Sequence, residues 1–234
     1  MRICIVGNGA SALNKFNGDF IDDCDEVVRI KNFQICGFEK HVGKKITMFS
    51  SKWFSWFNRI DKTPLFFSFL SEVNTLLFMF PHKNENIVNT ENINEYVGLY
   101  KQLQLKNELP SPLTKWEDHL NLLNYFKVEN KKLIYFTQDE IKELCCDILK
   151  LDKINFNVSG RNQQTIVEPT CGIRTIFKIL KLYPNSEIFL TGFDGFQTSW
   201  YWNPQHKINS SHHYLTERVY LTHLKNIKRV VMLD

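Results

Sequence analysis

Four histidines cluster towards the end of the chain: His206, His212, His213 and His223. An imidazole titrates near neutral pH, so a histidine beside a hydroxyl can remove its proton as the oxygen attacks. His212 is the first candidate for such a general base. The spacing His212-x4-Glu217 sets it at or just before a helix start, with Glu217 about one turn in. His213 competes with it, but consecutive helical residues point about 100° apart, so only one of the two can face a given site. A metal centre is the weaker reading, because HExxH is absent and no paired cysteine spacing accompanies the cluster. Asp23-Cys24-Asp25 has the DxD spelling but stands in a connector, where a solvated acidic turn is expected.

Two glycine turns supply a second kind of chemistry. Gly7-Asn8-Gly9-Ala10-Ser11 follows a hydrophobic strand, and a strand that ends in Gly-x-Gly and enters a helix can cradle phosphate. With Ala12 the segment also fits a relaxed dinucleotide fingerprint, GxGxxA. An NAD site would want an acid at the end of the second strand. That strand runs instead into Lys31 and Asn32, which disfavours NAD and leaves NADP open. Asn8 adds an amide that can donate to and accept from a base or ribose. The second turn, Pro169-Thr170-Cys171-Gly172, opens a helix whose apolar spacing is carried by Ile173, Ile176, Phe177 and Leu180. Thr170 can cap that helix or bind phosphate, and Gly172 allows close approach. Asp194, in Gly192-Phe193-Asp194, falls at the carboxyl end of a strand, where ligands of α/β proteins gather.

These groups need a scaffold. Strands are expected at residues 3–6, 26–30 and 46–49, with connectors whose lengths suggest a parallel sheet. Further on, a strand at 133–137 is followed by a helix at 138–149 with Thr137 as its cap. A helix from 169 to about 182, a strand at 187–191, a helix over 213–226 and a closing strand at 229–233 complete the pattern. The aromatic-rich stretch 52–80 reads mainly as core, with sugar stacking or membrane contact as the alternative for Trp53 and Trp56. Its apolar run at 65–80 is broken by Ser71, Glu72 and Asn74, too short and polar for a membrane span, so two strands and a turn are expected. Residues 82–130, polar and marked by Pro110 and Pro112, read as a variable insertion or acceptor-side region of one domain covering 1–234.

Composition narrows the class. With 43% hydrophobic and 23% charged residues over 234 positions, the chain can bury a full core and long disordered tails are unexpected. A net charge of +4 is too mild for a nucleic-acid coat but suits phosphate-bearing ligands or an anionic membrane surface. Met1 leads directly into a strand, which predicts no signal peptide or anchor. The six cysteines then read as reduced thiols of a cytoplasmic protein, with adjacent Cys145 and Cys146 as small buried residues of a helix.

Taken together these segments resemble glycosyltransferase family 29, the eukaryotic-type sialyltransferases, and more loosely the bacterial lipooligosaccharide sialyltransferases. The family's long motif is similar to residues 5–11, 25–30 and 37–43. Its short motif is similar to Pro169-Thr170-Cys171-Gly172 through Gly192-Phe193, its aromatic motif to Trp200-Tyr201-Trp202-Asn203, and its last motif to His212 and Glu217. Lys31 stands where the family usually has asparagine, Cys171 where it has serine or threonine, and Trp200 and Asn203 where it commonly has histidine and glutamate. The resemblance implies a GT-A-like, Rossmann-type α/β domain with a mostly parallel central sheet flanked by helices. It implies inverting transfer of an acidic keto sugar from a CMP-activated donor to a glycan or glycolipid hydroxyl, with no essential metal or other cofactor and no nucleic-acid partner. His212 is then the base and Tyr201 supports the leaving phosphate, with Glu217 beside them. Gly7, Asn8, Gly9, Ser11, Asn32, Thr170, Cys171, Gly172 and Asp194 line the nucleotide-sugar site. A CMP-Kdo transferase is the near alternative and an NADP-binding oxidoreductase the distant one. The expected location is cytoplasmic, with a peripheral contact at the inner membrane surface as an option.

Overall fold

The computed structural model describes residues 1–52, 72–79, 132–136, 138–151, 169–205 and 214–234. Along them run β1 (Arg2–Val6), a 3-10 turn (Ala10–Leu13), α1 (Gly18–Asp22), β2 (Glu26–Ile30), α2 (Glu39–Val42), β3 (Met48–Lys52) and β4 (Thr75–Met79). After these come β5 (Lys132–Phe136), α3 (Gln138–Leu151), α4 (Cys171–Leu182), β6 (Glu187–Thr191), α5 (Tyr214–Asn226) and β7 (Val231–Met232). The strands form one sheet in the order β5-β4-β3-β2-β1-β6-β7. Every pairing between them is parallel.

Parallel neighbours demand crossover connections, and the crossovers cover both faces, so the strands are apolar on both sides. β1 shows this directly: Ile3, Cys4, Ile5 and Val6 are all buried. With a side-chain period of two, Ile3 and Ile5 join one core with Leu144 and Ile148 of α3, Ile173, Ile176 and Phe177 of α4, and Leu221 and Leu224 of α5. Cys4 and Val6 join the other with Ile21, Val27, Val42 and Tyr201. The same alternation in β2 turns Arg29 into the second core, fully buried. Its guanidinium there donates to the carbonyls of Val42, Gly43 and Lys45 at 2.8–3.1 Å. On the opposite face α3 and α4 are joined by two ion pairs, Lys178 to Glu140 and Lys181 to Glu143, both at 2.7 Å.

The expected elements appear with shifted ends. β3 begins at Met48, not at 46; Ile46 is buried ahead of the ladder, and Thr47 is bound by its backbone N–H to the Val27 carbonyl. β7 is only two residues long, because Arg229 still bonds back to Leu224 and Lys228 is in the left-handed region at φ 56°. Cys145 and Cys146 are not the buried pair expected: Cys146 is exposed and Cys145 half-buried. Leu144 and Ile148, one turn apart, take the core face of α3 instead. The cap assigned to Thr137, the aromatic stretch 53–71 and the insertion at 82–130 lie outside the described residues. No helix among the described residues is long and apolar enough to cross a membrane.

For the site, the sheet order matters most. From β1 the chain builds β2 to β5 on one side and β6 and β7 on the other. Strand order therefore reverses between β1 and β6, where an open α/β sheet places a crevice beyond its carboxyl ends.

Candidate functional site

The turn after β1 meets the turn after β6 at that reversal. Gly7 donates to the Thr191 carbonyl at 2.8 Å and Gly9 to the Gly192 carbonyl at 3.0 Å. Ala10 donates to Thr198 Oγ1 at 2.8 Å and to the Ser199 carbonyl at 3.1 Å. No long helix follows the first glycine turn. A 3-10 turn does, and its N-cap, Gly9, has no side-chain cap bond. The stretch up to Cys24 is short-helical and irregular, as the sequence leads one to expect, and three N–H groups of the turn itself are held by the end of β6 and the loop after it. The glycines answer to that loop. A Cβ on Gly192, which sits at φ 70°, would lie 2.7 Å from the Gly7 carbonyl oxygen.

Phe193 joins this turn to the second one. Its ring lies between them: a Cβ on Gly7 would stand 3.1 Å from Phe193 Cε2, and one on Gly172 would stand 3.0 Å from Cε1. The two glycine turns singled out in the sequence are therefore neighbours across one aromatic ring. Phe193 was not a predicted site residue. The available signal was a large aromatic set in Gly192-Phe193-Asp194-Gly195, at a strand end where small residues dominate.

Asn8 is tied on all sides. Its amide donates to the Ile30 carbonyl at 3.1 Å, its Oδ1 accepts from Trp202 Nε1 at 3.4 Å, and its carbonyl accepts from the Tyr201 N–H at 2.9 Å. The aromatic segment 200–203 crosses Gly9 through an antiparallel bridge to Trp200, with the Trp200 and Trp202 rings 4.9 Å apart. Tyr201 is buried, and its hydroxyl donates to the Gln34 carbonyl at 2.5 Å. It packs edge-on against Phe38, and burial raises its pKa. In this structure it fastens the loop after β2. Asn32, in that loop, is half-buried, and its amide makes no hydrogen bond among the described residues.

Ser11 donates to the Asp234 carboxylate, which also accepts from the Gly192 N–H at 3.0 Å. Asp194 accepts from Thr198, the residue that receives the Ala10 N–H. Both side chains lock loops together. Cys171 is buried in the core at the start of α4.

The strongest link is between α4 and α5. Thr170 caps α4, its hydroxyl accepting from the Ile173 N–H. Glu217, in the first turn of α5 and 3% exposed, takes both Thr170 donors: the N–H at 2.6 Å and the hydroxyl at 2.8 Å. Burial drives the Glu217 carboxyl up to about 7, against the Thr170 bonds and the charges of Arg174 and Lys31, which pull it down. Next to it, Arg218 donates to the Gly195 carbonyl at 2.7 Å, so the start of α5 is docked on the Thr170 turn and on the turn after β6.

His206, His212 and His213 lie outside the described residues; in sequence, His212 is two positions before Tyr214, the first residue of α5. Among the described residues no group of three His, Cys, Asp or Glu could hold a metal ion. Asp25 accepts from the Arg2 N–H at 2.7 Å, at the opposite end of the strands from Gly7. The arrangement thus offers a helix N-terminus held by a carboxyl of neutral-range pKa, an amide just after β2 with no hydrogen bond among the described residues, and a partly exposed pair of indoles.

Comparison with known proteins gives these features a context. A family model described as glycosyltransferase family 29 (sialyltransferase) matches residues 1–229. The CMP-N-acetylneuraminate-beta-1,4-galactoside alpha-2,3-sialyltransferases of Homo sapiens and Pan troglodytes are each 51% identical to it over 47 residues, which is 20% of this chain and 12% of theirs. That of Rattus norvegicus is 49% identical over 47 residues, covering 13% of its length. The chain thus spans about an eighth of the length of these curated relatives. A solved mammalian sialyltransferase superposes with TM-score 0.57 at 17% identity over 99% of this chain and 68% of the other. A mammalian sialyltransferase in complex with Gal-beta-1-3GalNAc-ortho-nitrophenol gives 0.54 at 19%, over the same shares. At these identities the likeness is one of fold.

Proposed function

The chain belongs to glycosyltransferase family 29, the sialyltransferases, and from that premise we propose that it moves sialic acid from a CMP-linked donor to a glycan hydroxyl. The observation that carries this reading is the Thr170–Glu217 clamp. It fixes the α4 N-terminus against the first turn of α5, the helix that His212 precedes by two positions in sequence. The CMP phosphate lies at the Thr170-Cys171-Gly172 turn, where helix N–H groups and the helix dipole favour an anion. Asn32, whose amide makes no hydrogen bond among the described residues, meets the nucleotide. Gly7, Gly9, Ser11 and Asp194 shape the pocket wall through the loop contacts described above, and Asn8, Tyr201 and Glu217 are positioning residues.

His212 accepts the acceptor's hydroxyl proton while the oxygen bonds to the anomeric carbon. The bond from that carbon to the phosphate oxygen breaks, and CMP leaves with its electron pair. One such displacement inverts the anomeric centre. The donor's own carboxylate offsets positive charge on the sugar, so no metal is required. The half-buried Trp200 and Trp202 rings are suited to stacking on an acceptor sugar. The reading includes a GT-A-like description of the sheet and a cytoplasmic setting near an anionic membrane.

The test is transfer to a galactoside acceptor from CMP-sialic acid and, separately, from CMP-Kdo, with EDTA present and product configuration read by NMR. Expected are sialic acid transfer with inversion, indifference to EDTA, and a His212→Ala loss of roughly 10²–10⁴-fold in turnover with CMP binding retained. His213→Ala should stay within threefold of wild type. Transfer of Kdo alone would replace the donor assignment. Tight NADPH binding without CMP binding would end the reading.

A further inference from the structure

β3 carries a buried hydroxyl to which the mechanism above gives no role. Ser50 stands opposite Ile30, the last residue of β2, in the parallel ladder, and its carbonyl accepts the Lys31 N–H at 2.8 Å. With a side-chain period of two, Ser50 turns to the same face as Met48, into the core shared with α4. There its Oγ lies 2.7 Å from Thr175 Oγ1, and both residues are fully buried. A second bond settles the direction of the first. Thr175 gives its single hydroxyl proton to the Cys171 carbonyl, one turn back, at 2.7 Å. Ser50 is therefore the donor to Thr175, and the chain of bonds from β3 ends on the first residue of α4.

This tie differs in kind from the packing around it. Apolar contact is non-directional, so it fixes which face α4 buries more firmly than how high α4 stands on the sheet. A hydroxyl pair is met at one position. Moving α4 along its axis by one residue, about 1.5 Å, would leave the Ser50 proton and the Thr175 lone pair unmet, inside the core that holds Ile30, Met48, Ile173 and Ile176. The first turn of α4 is thus held twice: at its tip by Glu217 of α5, and from the sheet by Ser50 through Thr175. Through its carbonyl the same Ser50 also fastens the start of the loop after β2.

We propose that Ser50 and Thr175 are positioning residues, whose hydroxyl pair sets how far the N-terminal turn of α4 reaches into the crevice. The bearing of this on turnover rests on the reading that the Thr170 turn holds the donor phosphate. The tie itself rests on bonds within the chain.

The test takes Ser50→Ala, Thr175→Ser and the double variant Ser50→Ala/Thr175→Val in the full chain through thermal melts, amide hydrogen exchange by NMR, and transfer assays. The double variant removes donor and acceptor together, which costs little, so it should melt within about 3 °C of wild type. Exchange of the bonded Thr170, Ile173 and Arg174 N–H groups should still quicken about tenfold, the effect of one lost hydrogen bond. Its kcat should fall roughly a hundredfold, the scale of a 1 Å misplacement. Ser50→Ala alone leaves Thr175 on Cys171 and cuts only the tie to the sheet, so it should show both changes even if the double variant does not fold. Thr175→Ser keeps the hydroxyl and should stay within about threefold of wild type in kcat. Unchanged exchange in Ser50→Ala would overturn the proposal. So would wild-type kcat where exchange has quickened, or a kcat loss that follows melting temperature instead of exchange, which marks general destabilisation. A wild type that binds no CMP, with the exchange change present, would overturn the donor reading and leave the placing of α4 by this pair intact.

Discussion

Glu217 is a carboxyl whose surroundings set a pH response of definite sign. Its pKa rises from 4.5 to about 7 on folding, chiefly by burial, so between those values the folded state holds a proton that the unfolded state has lost. Stability from this group is fully present below about 4.5, declines as pH rises towards 7, and is gone above it, a change on the order of 3 kcal/mol. Glu217→Gln keeps an acceptor for the Thr170 N–H and a donor for the Thr170 hydroxyl while removing the ionisation. Denaturant melts of wild type and Glu217→Gln from pH 4.5 to 8 should show the variant gaining steadily on the wild type up to about pH 7.5, after which the difference between them stays constant. A difference that ignores pH would refute the assignment of the shift to this side chain. Glu217→Ala should behave otherwise: it leaves two buried Thr170 groups without their acceptor, at about 1–3 kcal/mol each, at any pH.

At the scale of elements, Phe193 is the spacer between the two glycine turns, and the geometry makes its role testable by a double-mutant cycle. A methyl on Gly172 presses on Phe193 Cε1 at 3.0 Å, tighter than ordinary contact. Gly172→Ala should therefore cost about 1–2 kcal/mol in the wild type, as overpacking does. In a Phe193→Ala background the obstacle is gone, and alanine's better helix propensity should make the same change neutral or slightly stabilising. An equal cost in both backgrounds would mean that the ring does not hold Gly172 in place. This arrangement also shows which parts of the molecule could be read from its residues. The helix at Thr170 and the strand over 187–191 were plain, because capping chemistry and apolar period are local. Gly7 and Gly172 stand out in the sequence as glycines with a purpose, and the structure adds one that no local pattern shows: Gly7 makes room for Gly192, and both make room for Phe193. Such contacts join residues far apart in sequence, and no local pattern encodes the partner. Likewise the spacing of His212 and Glu217 was visible, but not that Glu217 reaches Thr170, 47 residues earlier.

At the scale of the whole molecule the site exists only because distant parts of the chain close on one another, and Asp234 is where this is most concentrated. Its carboxylate receives Ser11, 223 positions away, and the Gly192 N–H, 42 positions away. It thereby fastens the 3-10 turn after β1 to the turn after β6 across the point where strand order reverses. Two roles for Ser11 then predict different behaviour. If the hydroxyl meets the nucleotide directly, Ser11→Ala weakens CMP binding by the same factor whether or not Asp234 is present. If it acts by holding the turn, its effect passes through Asp234 and vanishes in an Asp234→Ala background. The structure favours the second, since the hydroxyl's proton is already given to the carboxylate. In a cycle of Ser11→Ala, Asp234→Ala and the double variant, followed by CMP titration and denaturant melts, both single variants should therefore lose stability by about 1–3 kcal/mol. Asp234→Ala should lose more, because it also strands the Gly192 N–H. The double variant should be no worse than Asp234→Ala in either measurement. Additive losses in CMP affinity would place Ser11 against the nucleotide after all and leave Asp234 a separate, purely structural tie.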